Sequence, residues 1–108
     1  MQTDADEYQD HCAETAIYPS EDGIVYTLLG LGNEAGELQG KYKKYLRDSE
    51  SWETTKEKMI DELGDVLWYV AMLASELEVP LSLVMERNLI KLQSRQTRGT
   101  LGGSGDNR

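Results

Sequence analysis

The sequence predicts an all-α protein, a bundle of four helices whose two long central helices run antiparallel. Apolar residues recur at helical spacing along most of the chain, and no segment shows the sustained period-two alternation of a half-buried strand. The only two prolines, Pro19 and Pro80, lie between these periodic segments and mark helix boundaries. A chain of 108 residues can form one domain with a modest core.

The first two helices are predicted on either side of Pro19. Residues 4–17 form a short helix that ends before Tyr18, because the residue preceding a proline avoids helical geometry. A longer second helix spans about residues 22–47, and its basic C-terminal end suits the helix dipole. The stripe of this helix consists of Leu31, Leu38, Tyr42 and Tyr45.

A polar turn at residues 48–51 precedes the third helix, which is capped by Thr54 with Glu57 or by a nearby serine and runs to about Glu78. Pro80 suits the first turn of the fourth helix, because a proline lacks an N–H that would have no partner there. The apolar stripe of the fourth helix consists of Leu81, Val84, Met85, Leu89 and Leu92.

The glycine content separates the end of the chain from the helical domain. Four of the seven residues at 99–105 are glycine, and fixing so many glycines in regular structure carries a large entropic cost. We therefore expect a single helical domain at residues 1–98 and a glycine-rich tail at residues 99–108.

The third helix predicts self-association. Residues 66–74 are apolar almost all round the helix, and such a helix is buried on several sides. Three further helices of a chain this short would not cover it. The sequence therefore predicts a homodimer or homotetramer, with the third helix near the subunit interface.

Charge and cysteine content exclude several classes of function. The net charge is −9, which argues against a surface that binds nucleic acid by neutralising phosphates, so an anionic substrate would need a metal ion between it and the protein. Cys12 is the single cysteine and fits a reducing compartment. The longest apolar run is too short to span a bilayer, so we expect a cytoplasmic protein without a membrane partner.

One carboxylate stands where an apolar residue is expected. Glu34 comes three residues after Leu31 and four before Leu38, which places it on the apolar stripe of the second helix. A carboxylate at such a position must be paired, protonated or bound to a cation. Glu37 lies one turn further on, so both side chains can point at one spot.

Glu62 and Asp65 repeat this spacing on the third helix. Ten residues separate Glu37 from Arg47, and ten separate Trp52 from Glu62, so each arm spans about 15 Å. An antiparallel hairpin therefore brings four carboxylates together. All-oxygen ligation favours Mg²⁺ or Mn²⁺. One such pair alone usually marks a solvated helix face, but two pairs at matching levels favour a metal site.

These motifs resemble a known family. The segments Leu29-Gly-Leu-Gly-Asn-Glu34-Ala-Gly-Glu37-Leu and Asp61-Glu62-Leu-Gly-Asp65-Val-Leu-Trp-Tyr, together with the ending at residues 88–108, resemble the MazG-like nucleoside triphosphate pyrophosphohydrolases of the all-α NTP pyrophosphatase superfamily. The resemblance implies that Glu34, Glu37, Glu62 and Asp65 hold Mg²⁺. It also implies hydrolysis of nucleoside triphosphates to a monophosphate and pyrophosphate, for nucleotide-pool control, by dimers or dimers of dimers.

The sequence leaves two candidates for the general base. The family motif often begins with a double glutamate, and this sequence has Asn33 at the first of those positions. Glu34 and Glu37 are therefore both candidates for the catalytic carboxylate. A Ser-His-Asp or Cys-His set is not plausible, because His11 is the only histidine.

Four further residues are candidates for substrate binding: Asn88, Lys91, Arg95 and Lys41. Asn88 lies on the apolar stripe of the fourth helix, where it binds substrate or pairs helices. Lys91 and Arg95 bind phosphates or stabilise the helix dipole. Lys41 contacts substrate or forms a salt bridge with a carboxylate.

The aromatic residues and the tail leave further alternatives. Trp52, Trp68, Tyr42 and Tyr69 are either base-stacking residues or core. Asp106 and Arg108 either fold over a site or belong to a frayed end. For the whole chain, the competing function is a non-enzymatic helical regulatory or interaction module with a structural metal site.

Overall fold

The computed structural model describes residues 3–108, and these residues form four α-helices without any strand. The prediction of an all-α fold is therefore confirmed. The helices are α1 (Ala5–Ala13), α2 (Gly23–Asp48), α3 (Trp52–Glu76) and α4 (Leu81–Arg98), with a short 3-10 turn at Ser20–Asp22 before α2.

The first helix is shorter than predicted. It ends at Ala13, whereas the sequence predicted an end at residue 17. The Thr15 hydroxyl donates to the Cys12 carbonyl at 3.0 Å and accepts a hydrogen bond from Trp68 Nε1 at 2.9 Å. The predicted end is wrong because Glu14, Thr15 and Ala16 donate to carbonyls three residues before them, as in turns, and do not continue the helix. The contact of Thr15 with Trp68, 53 residues away, gives no signal in the local sequence on which the prediction relied.

The ends of α3 are close to the prediction. Ser51, the nearby serine, caps the helix through its hydroxyl, which accepts from the Thr54 N–H at 3.2 Å. Before it, Ser49 turns the chain with a φ of 57°. The helix ends at Glu76 and not at Glu78, because Glu78 takes a left-handed φ of 59°.

α2 packs along α3. From one end of the pair to the other, the residues that meet are Gly23 with Glu76, Gly30 with Tyr69, Glu34 with Glu62 and Asp65, and Tyr45 with Trp52. A methyl group at Gly30 would overlap the ring of Tyr69. Because Gly30 has no side chain, the Tyr69 ring fits between the two helices at this point.

The core lies at one end of the molecule, where α1 meets the second half of α3 and the start of α4. Its buried residues are Cys12, Ala71, Met72 and Leu81. Most large apolar residues elsewhere are exposed, including Leu63 and Leu67 on α3 at 56% and 45%. On α4, the predicted stripe is buried at Leu81 alone, and the rest of that stripe is exposed. Considerable apolar surface is thus uncovered in one chain.

Two side chains of α1 hold the first turn of α4, in a contact that we call the α1–α4 clasp. Gln9 is buried and accepts from the Leu81 N–H at 2.8 Å, while its amide nitrogen donates to the carbonyls of Ala71 and Val79 and to the Ser75 hydroxyl. Asp6 accepts from the N–H and the hydroxyl of Ser82, at 3.0 and 2.8 Å. The clasp satisfies amides that a helix N-terminus leaves free.

The tail at residues 99–108 has no helix or strand and folds back on itself. The Arg108 guanidinium donates to the carbonyls of Thr100, Leu101, Gly102 and Gly105. Arg98 donates to the Arg108 carbonyl at 2.8 Å. These contacts give the tail a defined course beside the end of α4.

None of the four helices is alone long and apolar enough to cross a membrane. Helices α3 and α4 meet that threshold only when taken together, and they are bent by 101° at the break between them.

Candidate functional site

Three of the four predicted carboxylates come together where α2 meets α3. Glu34, Glu62 and Asp65 each offer one oxygen, and these three oxygens all lie within 4.8 Å of one another. We call this group the carboxylate cluster. Glu34 of α2 thus lies opposite both acidic residues of α3.

The cluster leaves carboxylate oxygens without partners. Oε2 of Glu34 and Oε2 of Glu62 are buried and have no hydrogen-bond partner among residues 3–108. The pKa of Glu34 is raised to about 7, chiefly by burial and then by the nearby Glu62, Glu37 and Asp65. A bound cation would satisfy these oxygens and favour the charged form, so the donors present fit a hard divalent cation.

Glu37 and Lys41 lie at the edge of the cluster. Glu37 is exposed and is not among the three residues that converge, although its charge contributes to the raised pKa of Glu34. Lys41 Nζ lies 3.7 Å from Glu62 Oε1. Of the two interpretations left open for Lys41, the salt bridge with a carboxylate is the contact that is present.

An aromatic pocket of about 370 Å³ adjoins the cluster. Its lining consists of Thr15, Tyr26, Glu34, Asp65, Trp68 and Tyr69. Two cluster carboxylates thus form part of the wall of a cavity whose other walls are largely aromatic. Flat apolar walls beside charged groups suit a ligand with a planar ring and an anionic end.

The sequence indicated part of this pocket. Trp68 and Tyr69 were among the aromatic candidates, whereas Tyr42 and Trp52 lie apart from it and contact Tyr45 with ring centroids 5.6 Å away.

Two pocket residues were missed. Tyr26 lies eight residues before Glu34, close to two helical turns, and this spacing could have placed it on the same face. No local signal marked Thr15, which belongs to the connection after α1.

The remaining substrate candidates lie on α4. Asn88 is exposed and lines a cavity of about 440 Å³ together with Lys91 and apolar residues near the start of the helix. Lys91 and Arg95 both contact the carboxylate of Asp106 in the tail, at 3.1 and 3.3 Å. We call Lys91 and Arg95 the basic pair.

Within a single chain, the basic pair lies far from the carboxylate cluster. Eleven residues of α3 separate Asp65 from Glu76, and ten residues of α4 separate Leu81 from Lys91. With the bend of 101° between the helices, the two groups are roughly 20 Å apart. Within one chain, the basic pair therefore lies outside both the cluster and the aromatic pocket.

Comparisons with known proteins found a family model and a relative that match this chain. Residues 25–99 match the MazG nucleotide pyrophosphohydrolase domain, a range that includes the cluster and the basic pair. The chain is similar to the Gene 37 protein of Mycobacterium phage L5, with 50% identity over 111 aligned positions that cover 95% of this chain and 97% of that protein. No solved structure matches the chain. The matched domain covers most of the sequence, and the chain therefore belongs to the MazG nucleotide pyrophosphohydrolase family.

Proposed function

We propose that this protein hydrolyses nucleoside triphosphates to the nucleoside monophosphate and pyrophosphate, as a step of nucleotide-pool control. The observation that carries the proposal is the carboxylate cluster, in which three acidic side chains converge and two buried oxygens lack partners within residues 3–108. Burial and the neighbouring carboxylates raise the pKa of Glu34, a disadvantage for its charged form that a divalent cation removes. A reducing, cytoplasmic setting is part of the proposal, because the buried Cys12 is a free thiol.

The metal would be Mg²⁺, with Mn²⁺ as a substitute. Glu34, Glu62 and Asp65 would hold it, and Glu37 would join them through a side-chain rotation, since it lies one turn from Glu34. When bound, such a cation supplies positive charge to phosphate oxygens and lowers the pKa of a water molecule.

The protein's own residues would orient the reactants and move the proton. Asn33 cannot accept a proton as a glutamate would, so Glu34 or Glu37 accepts the proton of the attacking water. Lys41 would balance the charge of Glu62, which it approaches at 3.7 Å. This fixed arrangement of charges, rather than a covalent nucleophile, would stabilise the transition state.

The aromatic pocket would bind the base. Tyr26, Trp68 and Tyr69 surround a cavity that Glu34 and Asp65 also line, so a base stacked there would have its phosphates near the cluster. This proximity supports a nucleotide substrate better than a simple polyphosphate, which would leave the aromatic walls unused.

The active form would be a homodimer or homotetramer. The exposed apolar residues of α3 and α4 support association, because a stable single chain seldom leaves so many uncovered. Asn88, Lys91 and Arg95 would then contact the substrate held by the cluster of another copy. Sedimentation at micromolar concentration tests this assembly, and a monomer would contradict it.

The deciding experiment is pyrophosphate release from a panel of NTPs and dNTPs, with and without Mg²⁺. We expect turnover that requires the cation and that Asp65→Asn abolishes. The matched control is Glu57→Gln, which removes one exposed charge on the same helix. Absence of Mg²⁺-dependent turnover, or equal turnover in Asp65→Asn and the control, would favour the non-enzymatic helical module.

A further inference from the structure

The tail places a carboxylate against two basic side chains of α4. Lys91 and Arg95 are four residues apart, so their side chains project from the same side of the helix. One oxygen of Asp106, Oδ1, lies 3.1 Å from Lys91 Nζ and 3.3 Å from Arg95 Nη2. Asp106 is the only acidic residue in salt-bridge contact with either side chain within residues 3–108.

Arg95 is buried, and part of its binding capacity is unused. Its exposed fraction is 5%, and its Nε is buried without a hydrogen-bond partner in the described part of the chain. Nη2 makes all the contacts, with the carbonyls of Gly105 and Asp106 and with Asp106 Oδ1. A guanidinium binds an anion best through a fork of two donors, so Asp106 uses this arginine incompletely.

The Thr100 hydroxyl is a second buried group without a partner. The Thr100 N–H donates to the Arg95 carbonyl at 2.8 Å, which fixes its backbone beside the arginine. Its Oγ1 is buried and makes no hydrogen bond to residues 3–108. The Thr100 hydroxyl and the Arg95 guanidinium, neither of them fully hydrogen-bonded within residues 3–108, are therefore both found where the tail leaves α4.

The counter-ion, in contrast, is exposed. The Asp106 side chain is 82% accessible to solvent and belongs to a glycine-rich segment in which Gly103 and Gly105 take φ values of 91° and 86°. The Asp106 carboxylate faces water and Lys91 is itself 37% exposed, so solvent screens the pair between these two and it contributes little to stability. Arg95 is thus fixed in place, whereas the carboxylate that faces it can exchange.

We propose that Asp106 acts as an internal competitor at the basic pair: its carboxylate occupies the place that a phosphate-type anion takes beside Lys91 and Arg95, and the anion must displace it to bind. Displacement requires only a rotation of the Asp106 side chain, because the backbone carbonyls of Gly105 and Asp106 can keep their bonds to Arg95. The inference rests on the proposed function in taking the basic pair as a phosphate-binding group.

The test is a calorimetric titration of the full chain with pyrophosphate in buffer without divalent cations. Asp106→Asn removes the competing charge, and we expect it to tighten pyrophosphate binding about threefold to fivefold. Glu57→Gln changes the net charge equally at a distant exposed position and should bind as the wild type does. Lys91→Met should weaken binding about tenfold, because it removes a charged donor.

Equal affinities of the wild type and Asp106→Asn would overturn the proposal, and so would an equal gain in Glu57→Gln. Asp106→Glu retains a carboxylate and should stay near the wild type, which separates loss of charge from loss of tail structure. Tighter binding in a protein that hydrolyses no triphosphate would support the displacement and defeat the proposed function. Hydrolysis of triphosphates together with an unchanged pyrophosphate affinity in Asp106→Asn would support the proposed function and overturn the displacement.

Discussion

The carboxylate cluster and the basic pair both contain buried side-chain atoms without hydrogen-bond partners among the described residues, namely Oε2 of Glu34, Oε2 of Glu62 and Nε of Arg95. They differ in how their charge is balanced. The cluster brings three like charges together and faces one cation, Lys41, at 3.7 Å. The basic pair is neutralised by a carboxylate from its own chain at 3.1–3.3 Å.

This difference indicates what each group needs from outside the chain. The cluster keeps an excess of negative charge, and the raised pKa of Glu34 follows from burial and from that excess, so an external cation stabilises it. The basic pair already has a counter-ion, and an external anion must compete with it. A cation that binds at the cluster should therefore stabilise the fold, whereas an anion that binds at the basic pair must compete with the Asp106 carboxylate.

The largest expected effect is on kcat, and it distinguishes Glu34 from Glu37, which lies one turn further along α2. Glu34→Gln removes a converging ligand, so we expect kcat for pyrophosphate release to fall about 10²-fold or more. Glu37→Gln should lower kcat about tenfold, because Glu37 is exposed and outside the cluster. Steady-state kinetics at saturating Mg²⁺ measure both. A larger loss in Glu37→Gln would mean that Glu37, and not Glu34, provides the essential carboxylate.

A pair of glycine substitutions tests whether the aromatic pocket belongs to the site. Gly30→Ala must displace the Tyr69 ring, and we expect kcat/KM for the best nucleotide to fall about tenfold. A methyl group at Gly32 meets no atom of residues 3–108 within 4 Å, so Gly32→Ala should leave kcat/KM unchanged while raising the free energy of unfolding by about 0.5–1 kcal/mol. Unchanged kinetics in both variants would remove the pocket from the proposal.

The cluster should also make stability depend on pH. The pKa of Glu34 in the folded protein is about 7, above its ordinary value of 4.5, so the folded state binds its proton more tightly than the unfolded state. Without metal, this contribution to stability is complete below about pH 4.5 and is lost as the pH rises through 7.

Thermal unfolding scans between pH 4.5 and 8 measure this dependence. Glu34→Gln should remove the component of the pH dependence that Glu34 contributes, since glutamine does not titrate. Saturating Mg²⁺ should raise the melting temperature more at pH 8 than at pH 5, because the cation binds the ionised carboxylates. A Mg²⁺ effect of equal size at both pH values would show that the cation binds elsewhere.

The smallest expected effect concerns the tail. Arg108→Ala removes donors to four backbone carbonyls, so the amides of residues 99–108 should exchange hydrogen faster, by about tenfold. The free energy of global unfolding should change by less than about 0.5 kcal/mol, because the tail adds no helix or core residue. Arg87→Ala, at an exposed position on α4, is the control and should leave tail exchange unchanged.

The sequence predicted the helices and the cluster because both depend on local spacing. Helical periodicity placed α2 and α4 to within one or two residues, and Glu34 was identified by its place on an apolar stripe. The same reasoning included Glu37, since spacing alone does not distinguish an exposed glutamate from one that faces the neighbouring helix.

What the sequence did not predict depends on contacts between distant residues. The hydrogen bond between Thr15 and Trp68, just after the early end of α1, joins residues 53 positions apart. Gln9 gave no signal as a buried hydrogen-bonding centre, because each of its partners lies more than 60 residues away. Lys91 and Arg95 were recognised as basic, but their shared partner Asp106 depends on the turn of the tail.

The α1–α4 clasp joins the first helix to the start of the last. Gln9 and Leu81 are 72 residues apart, and Asp6 and Ser82 are 76 apart, so the first turn of α4 receives its partners from the start of the protein. Loss of α1 would leave those amides bare and loosen the helix that carries Lys91 and Arg95. α1 supplies no residue to the basic pair, but the stability of the helix that carries the pair depends on α1. We therefore expect α1 and α4 to unfold as one cooperative unit.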